Sequence, residues 1–359
     1  MTVDPIGEVW SHALALARAL VGRGSAVALA CMGAPLTLAQ RAEVAAISGV
    51  ELFTSGFKLE WMEDPWGDVD AAGEWLLDLA ELWQPELVQL NGLVHAALPW
   101  NRPVVVKAHS CVLSWWKAVR GEPIPPRLRE YRRRVTAGLD AAQWIVAPTR
   151  AMLDTLYEQY GQTGLQSVIF DGAEPPQLSE LERQHVVLGV GRLWDRAKNV
   201  EMLAAIAKDL PWPVALAGDA RAPEGGRPPA FSRVDLLGRL DAPELARRYA
   251  TAGIFALPAL YEPFGRSALQ AAQHGCPLVL ADIPSLRELW DGAAIFVDPR
   301  DAATWRRVLR LLIGDAARRV ELGSAARARS QRYTDEAMVQ RYVSVYDYLT
   351  LPKGARPLA

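Results

Sequence analysis

Cysteine is scarce: the 359 residues hold three, with no Cys-x-x-Cys pair and no histidine-rich neighbour. Cys31, Cys111 and Cys276 therefore suggest neither a zinc site nor a disulfide framework, and they fit a reducing compartment. Long apolar runs are missing too, since every such stretch is interrupted well short of the roughly 18 residues a membrane span needs. The opening MTVDPIGEVW puts Asp4 and Glu8 where a secretory signal carries positive charge. The expectation is a cytoplasmic protein with no export and no span. Excess charge of one sign is absent as well: 39 Lys and Arg stand against 41 Asp and Glu. That balance excludes a basic nucleic-acid binder.

What the chain has is apolar residues, half of the total, in a repeating pattern. Short β-branched or apolar runs alternate with helix-length amphipathic segments: 26–30, 87–90, 104–107, 144–147, 186–190, 214–217, 254–257 and 278–281. Such alternation predicts parallel sheets covered by helices, an α/β class. The runs end in Gly, Asn, His, Pro or Asp, residues suited to the strand-to-helix turns where open α/β sheets bind ligands. Eight strands suit two doubly wound sheets, and the Pro-rich polar stretch DGAEPPQLSELERQ marks the break. The boundaries read as a first domain over 1–169, a linker over 170–184, a second domain over 185–332 and a terminal helix over 333–359.

Charge and tryptophan are uneven within the first half. Residues 51–86 hold ten acids and one base, while 117–134 hold seven bases and two acids. The basic stretch reads better as a solvated helix face pairing with the acidic one than as contact with an anionic bilayer, because Pro123, Pro125 and Pro126 split it. Eight of thirteen tryptophans precede residue 120. Most belong to core or rim, but Trp10, Trp115 and Trp116 fall in predicted ligand-side turns, where indole faces can stack on an acceptor.

The most informative stretch is LPALYEPFGRSALQAAQHG. A strand ends near Pro258, a loop presents Glu262, and Gly265 opens a helix that runs from about Arg266 to His274 and stops at Gly275. Its amino end brings backbone N–H groups and partial positive charge to a ligand, an arrangement suited to phosphate. A second motif, VVLGVGRLWDRAKN, places Gly191, Arg192, Leu193, Lys198 and Asn199 after a strand. Its Gly-x-Gly is no dinucleotide fingerprint, because Trp194 stands at the third glycine position. A third element, VDLLGRLDAPELARRYATAGIFALPAL, reads as strand, turn, helix and strand.

Together these motifs resemble the retaining GT-B glycosyltransferases of family 4, over nearly the whole chain and most strongly from Gly189 to Pro299. The resemblance implies a GT-B fold, two Rossmann-like domains facing a cleft, with the terminal helix crossing back to the first. It implies transfer of a hexosyl group from a nucleotide diphosphate sugar, a UDP-sugar favoured, to a small-molecule, glycan or lipid-linked acceptor held by the first domain. Arg192 and Lys198 would grip the donor diphosphate, and Glu262 would contact hydroxyls of its hexose. The backbone at Phe264, Gly265 and Arg266, with Ser267, would approach the donor, as would Gly191 and Asn199. The turn of Gly238, Arg239 and Leu240 would lie against the base. His109 would sit beside the transferred sugar.

Two positions depart from the family pattern. Where a second Glu holds the ribose diol this chain has Gln270, and an amide offers one acceptor oxygen where a carboxylate offers two. In the first glycine turn Gly7 is kept and, by the resemblance, would face the donor diphosphate, but Glu8 replaces the second glycine and is expected to face the acceptor, with His12 lining the same pocket. Only Met1 to Val3 precede that turn, a very short opening strand. No protein nucleophile stands out, and no Asp-x-Asp pair of the metal-dependent type falls in a suitable turn, so neither a cofactor nor a metal is expected. A second reading, a protein that keeps the fold and binds nucleotide sugars with reduced chemistry, rests on Gln270 and Glu8.

Overall fold

The β-branched and small apolar runs form parallel strands, and the amphipathic stretches between them form the covering helices. A computed structural model describes residues 1–161, 164–176, 181–222, 225, 231 and 233–351. The chain divides into two units, one of Met1–Lys117, Glu122–Gly172 and Asp335–Ala359, the other of Ala118–Gly121 and Ala173–Thr334.

The first unit holds strands β1 (Thr2–Val3), β2 (Val27–Cys31), β3 (Val50–Thr54), β4 (Val88–Leu90), β5 (Val104–Lys107), β6 (Trp144–Ala147) and β7 (Leu165–Val168). Its helices are α1 (Glu8–Val21), α2 (Leu38–Ala45), α3 (Trp66–Trp83), α4 (Val112–Arg120), α5 (Arg129–Ala141) and α6 (Arg150–Tyr160). The ladders run β1-β2-β3 and β4-β5-β6-β7, all parallel. Asn91, just after β4, bonds to β1: its amide N–H donates to Thr2 Oγ1 at 2.9 Å, and its Nδ2 to the Thr2 carbonyl at 2.7 Å. All four residues of β5 are buried, as a strand covered on both faces requires.

In the second unit a single parallel sheet is built from β8 (Gln184–Val190), β9 (Val214–Ala217), β10 (Asp235–Gly238), β11 (Ala252–Leu257), β12 (Leu278–Ala281) and β13 (Ile295–Val297). Covering it are α7 (Val200–Ile206), α8 (Ala242–Thr251), α9 (Arg266–Gln273), α10 (Pro284–Trp290), α11 (Ala302–Gly314) and α12 (Ala316–Ser330). The order β10-β9-β8-β11-β12-β13 is that of a dinucleotide-binding sheet, with its reversal between β8 and β11. The last helix, α13 (Asp335–Thr350), returns to the first unit and buries Met338, Val339, Tyr342 and Val345 against Leu16, Val105 and Ile169.

All eight strand-like runs form strands, and β3, β7 and β13 are additional. These three are partly exposed or only three residues long, so alternation and β-branched density mark them weakly. The division between units also differs from the sequence reading. It falls after Gly172 and again after Thr334. Asp171, expected in the linker, is buried in the first unit, and Tyr333, expected at the head of the terminal helix, packs in the second against Phe264 and Trp290. Residues 177–180 of the expected linker and 352–359 of the terminal segment lie outside the described residues.

Candidate active site

The loops that follow β8 and β11 flank the reversal of strand order, where open α/β sheets bind ligands. They carry most of the second unit's motif residues. After β8 the chain passes Gly191, where an added Cβ would lie 3.4 Å from the Lys198 stem. A 3-10 turn then spans Arg196–Lys198, and the Asp195 carboxylate starts it by accepting the Ala197 amide at 2.9 Å. The same carboxylate accepts the Arg192 guanidinium at 2.9 Å and holds that exposed side chain over the Trp194 ring. The Ala197 carbonyl accepts the Leu260 amide at 2.8 Å, which ties this turn to the loop after β11.

That tie brings Lys198 to Glu262. Lys198 Nζ donates to Glu262 Oε2 at 2.5 Å, and both side chains are buried. The other carboxylate oxygen accepts the Gly265 amide at 3.0 Å, and the Glu262 carbonyl accepts the Ser285 hydroxyl at 2.5 Å. Gly265 sits at φ +86°, a conformation open to glycine, and so lets α9 begin at once. The Phe264 ring is buried beside Tyr333, leaving its backbone at the helix start. Along α9, Ala268, Leu269, Ala271 and Ala272 face the core, while Arg266, Ser267 and Gln270 share the half-buried face opposite. At the end of β10, Gly238 is at φ +66° with open space beside it, Arg239 is exposed 3.8 Å from Asp219, and Leu240 follows half-buried.

Asn199 requires a correction. Its Nδ2 donates to the carbonyls of Pro258 at 2.9 Å and Pro299 at 2.8 Å, so both amide hydrogens are occupied. With φ at 51°, the residue links the turn to two strand ends, and its amide hydrogens are taken up there rather than offered to a donor.

In the first unit, Gly7 at φ +73° precedes α1 and Glu8 is that helix's first residue. One turn on, His12 Nδ1 lies 3.0 Å from the Asp171 carboxylate. Lys107 Nζ lies 2.9 Å from the same oxygen and donates to the Ile169 carbonyl at 3.2 Å. His109 meets the His12 ring edge-on at 4.8 Å, and its Nε2 is 2.9 Å from Asn91 Oδ1. Burial pushes the Asp171 acid up, but Lys107, His12 and His109 outweigh it and hold the group well below the usual carboxylate range. Burial lowers Lys107, against the pull of Asp171 and Glu8. Burial, His12 and Lys107 hold the His109 imidazole well below its ordinary value, so the ring is neutral near pH 7.

Two expected acceptor contacts are corrected here. Trp10 is 6% exposed and packs with Ala13, Leu14 and Ala17 against β2, and its Nε1 donates to Glu43 at 2.7 Å, so its ring face is closed to a ligand. His12 is 2% exposed and is held by Asp171, beneath His109 and not in contact with an acceptor. Trp115 and Trp116 lie on α4 rather than in a turn, half-buried with rings 6.5 Å apart, and Arg127 covers Trp116. The basic and acidic segments do pair, through Arg134 and Asp70.

Asn91, Lys107, Asp171 and Glu60 escape the sequence reading. Glu60 accepts the amides of Leu93 and Val94 at 3.0 Å, fixing the loop after β3 beside Asn91, and burial raises its carboxyl. A signal existed for Lys107, a charged residue closing a strand of valines. Burial pushes the thiols of Cys31 and Cys276 up to about 12, so neither supplies a nucleophile. Among the described residues no cluster of three His, Cys, Asp or Glu side chains is placed to hold a metal, and no helix is long and apolar enough to cross a membrane.

A family model described as Glycosyltransferase Family 4 matches residues 9–172, and one described as Glycosyl transferases group 1 matches residues 184–315. A D-inositol 3-phosphate glycosyltransferase of Xylanimonas cellulosilytica is 28% identical over 297 residues, 73% of this chain and 70% of that protein. Sucrose-phosphate synthase of Thermosynechococcus elongatus superposes with a TM-score of 0.73 at 19% identity, covering 92% of this chain and 91% of that one. HepE of Anabaena, solved in complex with UDP and glucose, gives 0.73 at 18% identity, with 97% and 99% covered.

Proposed function

Because this chain belongs to glycosyltransferase family 4 and takes the GT-B fold, we propose that it moves a hexosyl group from a nucleotide diphosphate sugar to an acceptor with retention at the anomeric carbon. UDP-sugars are the favoured donors, in line with the UDP and glucose held by HepE. The second unit binds the donor and the first the acceptor.

The observation that carries this reading is the Lys198–Glu262 pair at the strand reversal, with Arg192 on the rim and the amino end of α9 beside it. Glu262 accepts two hydrogen bonds in the structure, and a carboxylate has about four acceptor sites, so it retains capacity for the hydroxyls of a hexose. In the transfer, the bond from the anomeric carbon to the diphosphate oxygen breaks and a bond to the acceptor oxygen forms on the same face. The acceptor's proton passes to the leaving phosphate. Negative charge grows on that phosphate, where fixed cations and helix amides stabilise it more than in the ground state. The protein's work is then charge stabilisation and orientation, with no covalent intermediate and no required metal.

The test is incubation of the purified protein with UDP-, GDP- and ADP-hexoses and a panel of sugar, inositol and lipid-linked acceptors, with and without EDTA. Release of nucleotide diphosphate and an NMR spectrum of the product with unchanged anomeric configuration are expected in both conditions. An inverted product, or loss of turnover with EDTA, overturns the corresponding part. Donor binding without any transfer or hydrolysis favours the reading, based on Gln270 and Glu8, of a nucleotide-sugar-binding protein with reduced chemistry.

A further inference from the structure

We propose that Asn91 fixes the proton of His109 on Nε2, so that Nδ1 meets the substrate as a hydrogen-bond acceptor for a hydroxyl. Asn91 is thereby a positioning residue for the transfer, and this inference rests on the function proposed above.

Asn91 is held at two points by β1: its backbone N–H donates to Thr2 Oγ1 at 2.9 Å and its Nδ2 to the Thr2 carbonyl at 2.7 Å. Thr2 is fixed in turn by the ladder to β2, where the Ala30 amide donates to the Met1 carbonyl and the Met32 amide to that of Val3. With its NH₂ group committed to a carbonyl, the Asn91 amide presents its oxygen to His109 Nε2 at 2.9 Å. An amide oxygen only accepts, so Nε2 carries the hydrogen. A neutral imidazole has one N–H, and Nδ1 is left with a lone pair. Nδ1 makes no hydrogen bond to any described residue.

The neighbours keep the ring neutral. His12 from α1 lies edge-on against it, Lys107 closes β5 behind it, and Asp171 follows β7. The Asp171 oxygen that faces this cluster is shared by His12 and Lys107, and its pull on a His109 proton is outweighed by burial and by the positive charge of those neighbours. Glu8 acts on Lys107, and Tyr342 from α13 contacts the His12 ring. A second proton on His109 would add positive charge beside Lys107. The ring therefore accepts a hydrogen bond from a substrate hydroxyl through Nδ1 and donates none there.

Long-range ¹H–¹⁵N spectra of the full chain, with the His109 signals assigned by their loss in His109→Gln, read the tautomer without needing turnover. The wild type is expected as neutral Nε2–H near pH 7. Asn91→Ala is expected to mix the tautomers and to lower kcat about 10- to 100-fold with little change in donor KM. Asn91→Asp keeps an acceptor, so it should retain Nε2–H, raise the ring's titration and recover kcat as pH increases. An Nδ1–H or doubly protonated ring in the wild type overturns the proposal, as does Asn91→Ala with an unchanged tautomer and full kcat. Deoxy analogues locate the hydroxyl: the donor or acceptor analogue on which Asn91→Ala costs nothing further carries it, and if every analogue shows the full loss, Nδ1 touches no substrate hydroxyl and the idea fails. If the wild type transfers no sugar, the functional reading falls while the tautomer assignment is still tested by the spectra.

Discussion

Each unit buries a lysine against a carboxylate near the carboxyl ends of its parallel strands, and the two pairs are built differently. Lys198 and Glu262 come from the two loops that flank the strand reversal, and the second oxygen of Glu262 accepts the amide of Gly265, the residue that precedes α9. Lys107 is fully enclosed in a central strand, and its partner Asp171 is shared with His12. The first pair lies in the loops at the strand reversal of the second unit. The second lies within the first unit, beside His12, whose ring meets that of His109 edge-on. A buried pair that loses one partner leaves the other charge uncompensated, so each pair can be tested by removing its lysine.

Removing one partner from each pair separates the two roles. Lys107→Met leaves the Asp171 carboxylate buried beside His12 without its main counter-charge, a change that destabilises by about 3–5 kcal/mol. Urea or thermal unfolding measures it. A loss under about 1 kcal/mol would mean that water or rearrangement compensates and that the pair is not sealed. Lys198→Ala is expected to lower kcat by about 10²–10³, or about 2.7–4 kcal/mol, if the ammonium stabilises charge that develops on the leaving phosphate. Single-turnover transfer from the donor identified by screening is the measurement. Equal kcat with only a raised KM would reassign Lys198 to ground-state binding.

The same contrast explains what the sequence revealed. Gly191, Arg192 and Lys198, and Glu262 to Gly265, are short contiguous motifs in loops that follow strands, so their chemistry could be read locally. The Lys107, Asp171, His12 and Asn91 cluster draws on four distant segments, and no local pattern announces that they meet. Asp171 opens a Pro-rich polar stretch and so reads as linker, although Lys107 and His12 hold it in the interior. Trp10 looks like a turn residue by position, yet its spacing from Ala13, Leu14 and Ala17 is the core-facing stripe of α1. Strands covered on both faces were legible from β-branched density, while the edge strand β7, with exposed Leu165 and Gln166, was not.

Gln270 gives a smaller test, in the second unit. It lies on the half-buried face of α9 with Arg266 and Ser267. If that face holds a ribose diol, Gln270→Glu restores a carboxylate that accepts from both hydroxyls, and the charge-assisted bond tightens nucleotide binding by about 1–2 kcal/mol, roughly tenfold. Calorimetry with UDP would show it. Unchanged affinity would place the ribose elsewhere.

The smallest expected effect belongs to the first unit and follows from the sign of the His109 shift. Burial, His12 and Lys107 hold its folded-state value well below the ordinary 6.5. As pH falls through about 6.5 the unfolded chain takes up a proton that the folded chain does not, so stability falls with it. Between pH 7.5 and 6.0 one such group removes about 0.8 kcal/mol. His95 and His274 are lowered in the same direction by burial, so the wild-type curve sums several contributions. His109→Gln has no imidazole to titrate, and its stability should decline less steeply over that interval by about 0.8 kcal/mol, whatever its absolute stability. Urea unfolding at the two pH values in both proteins gives the difference directly, and parallel curves would show that His109 takes up its proton in the folded state as readily as in the unfolded one.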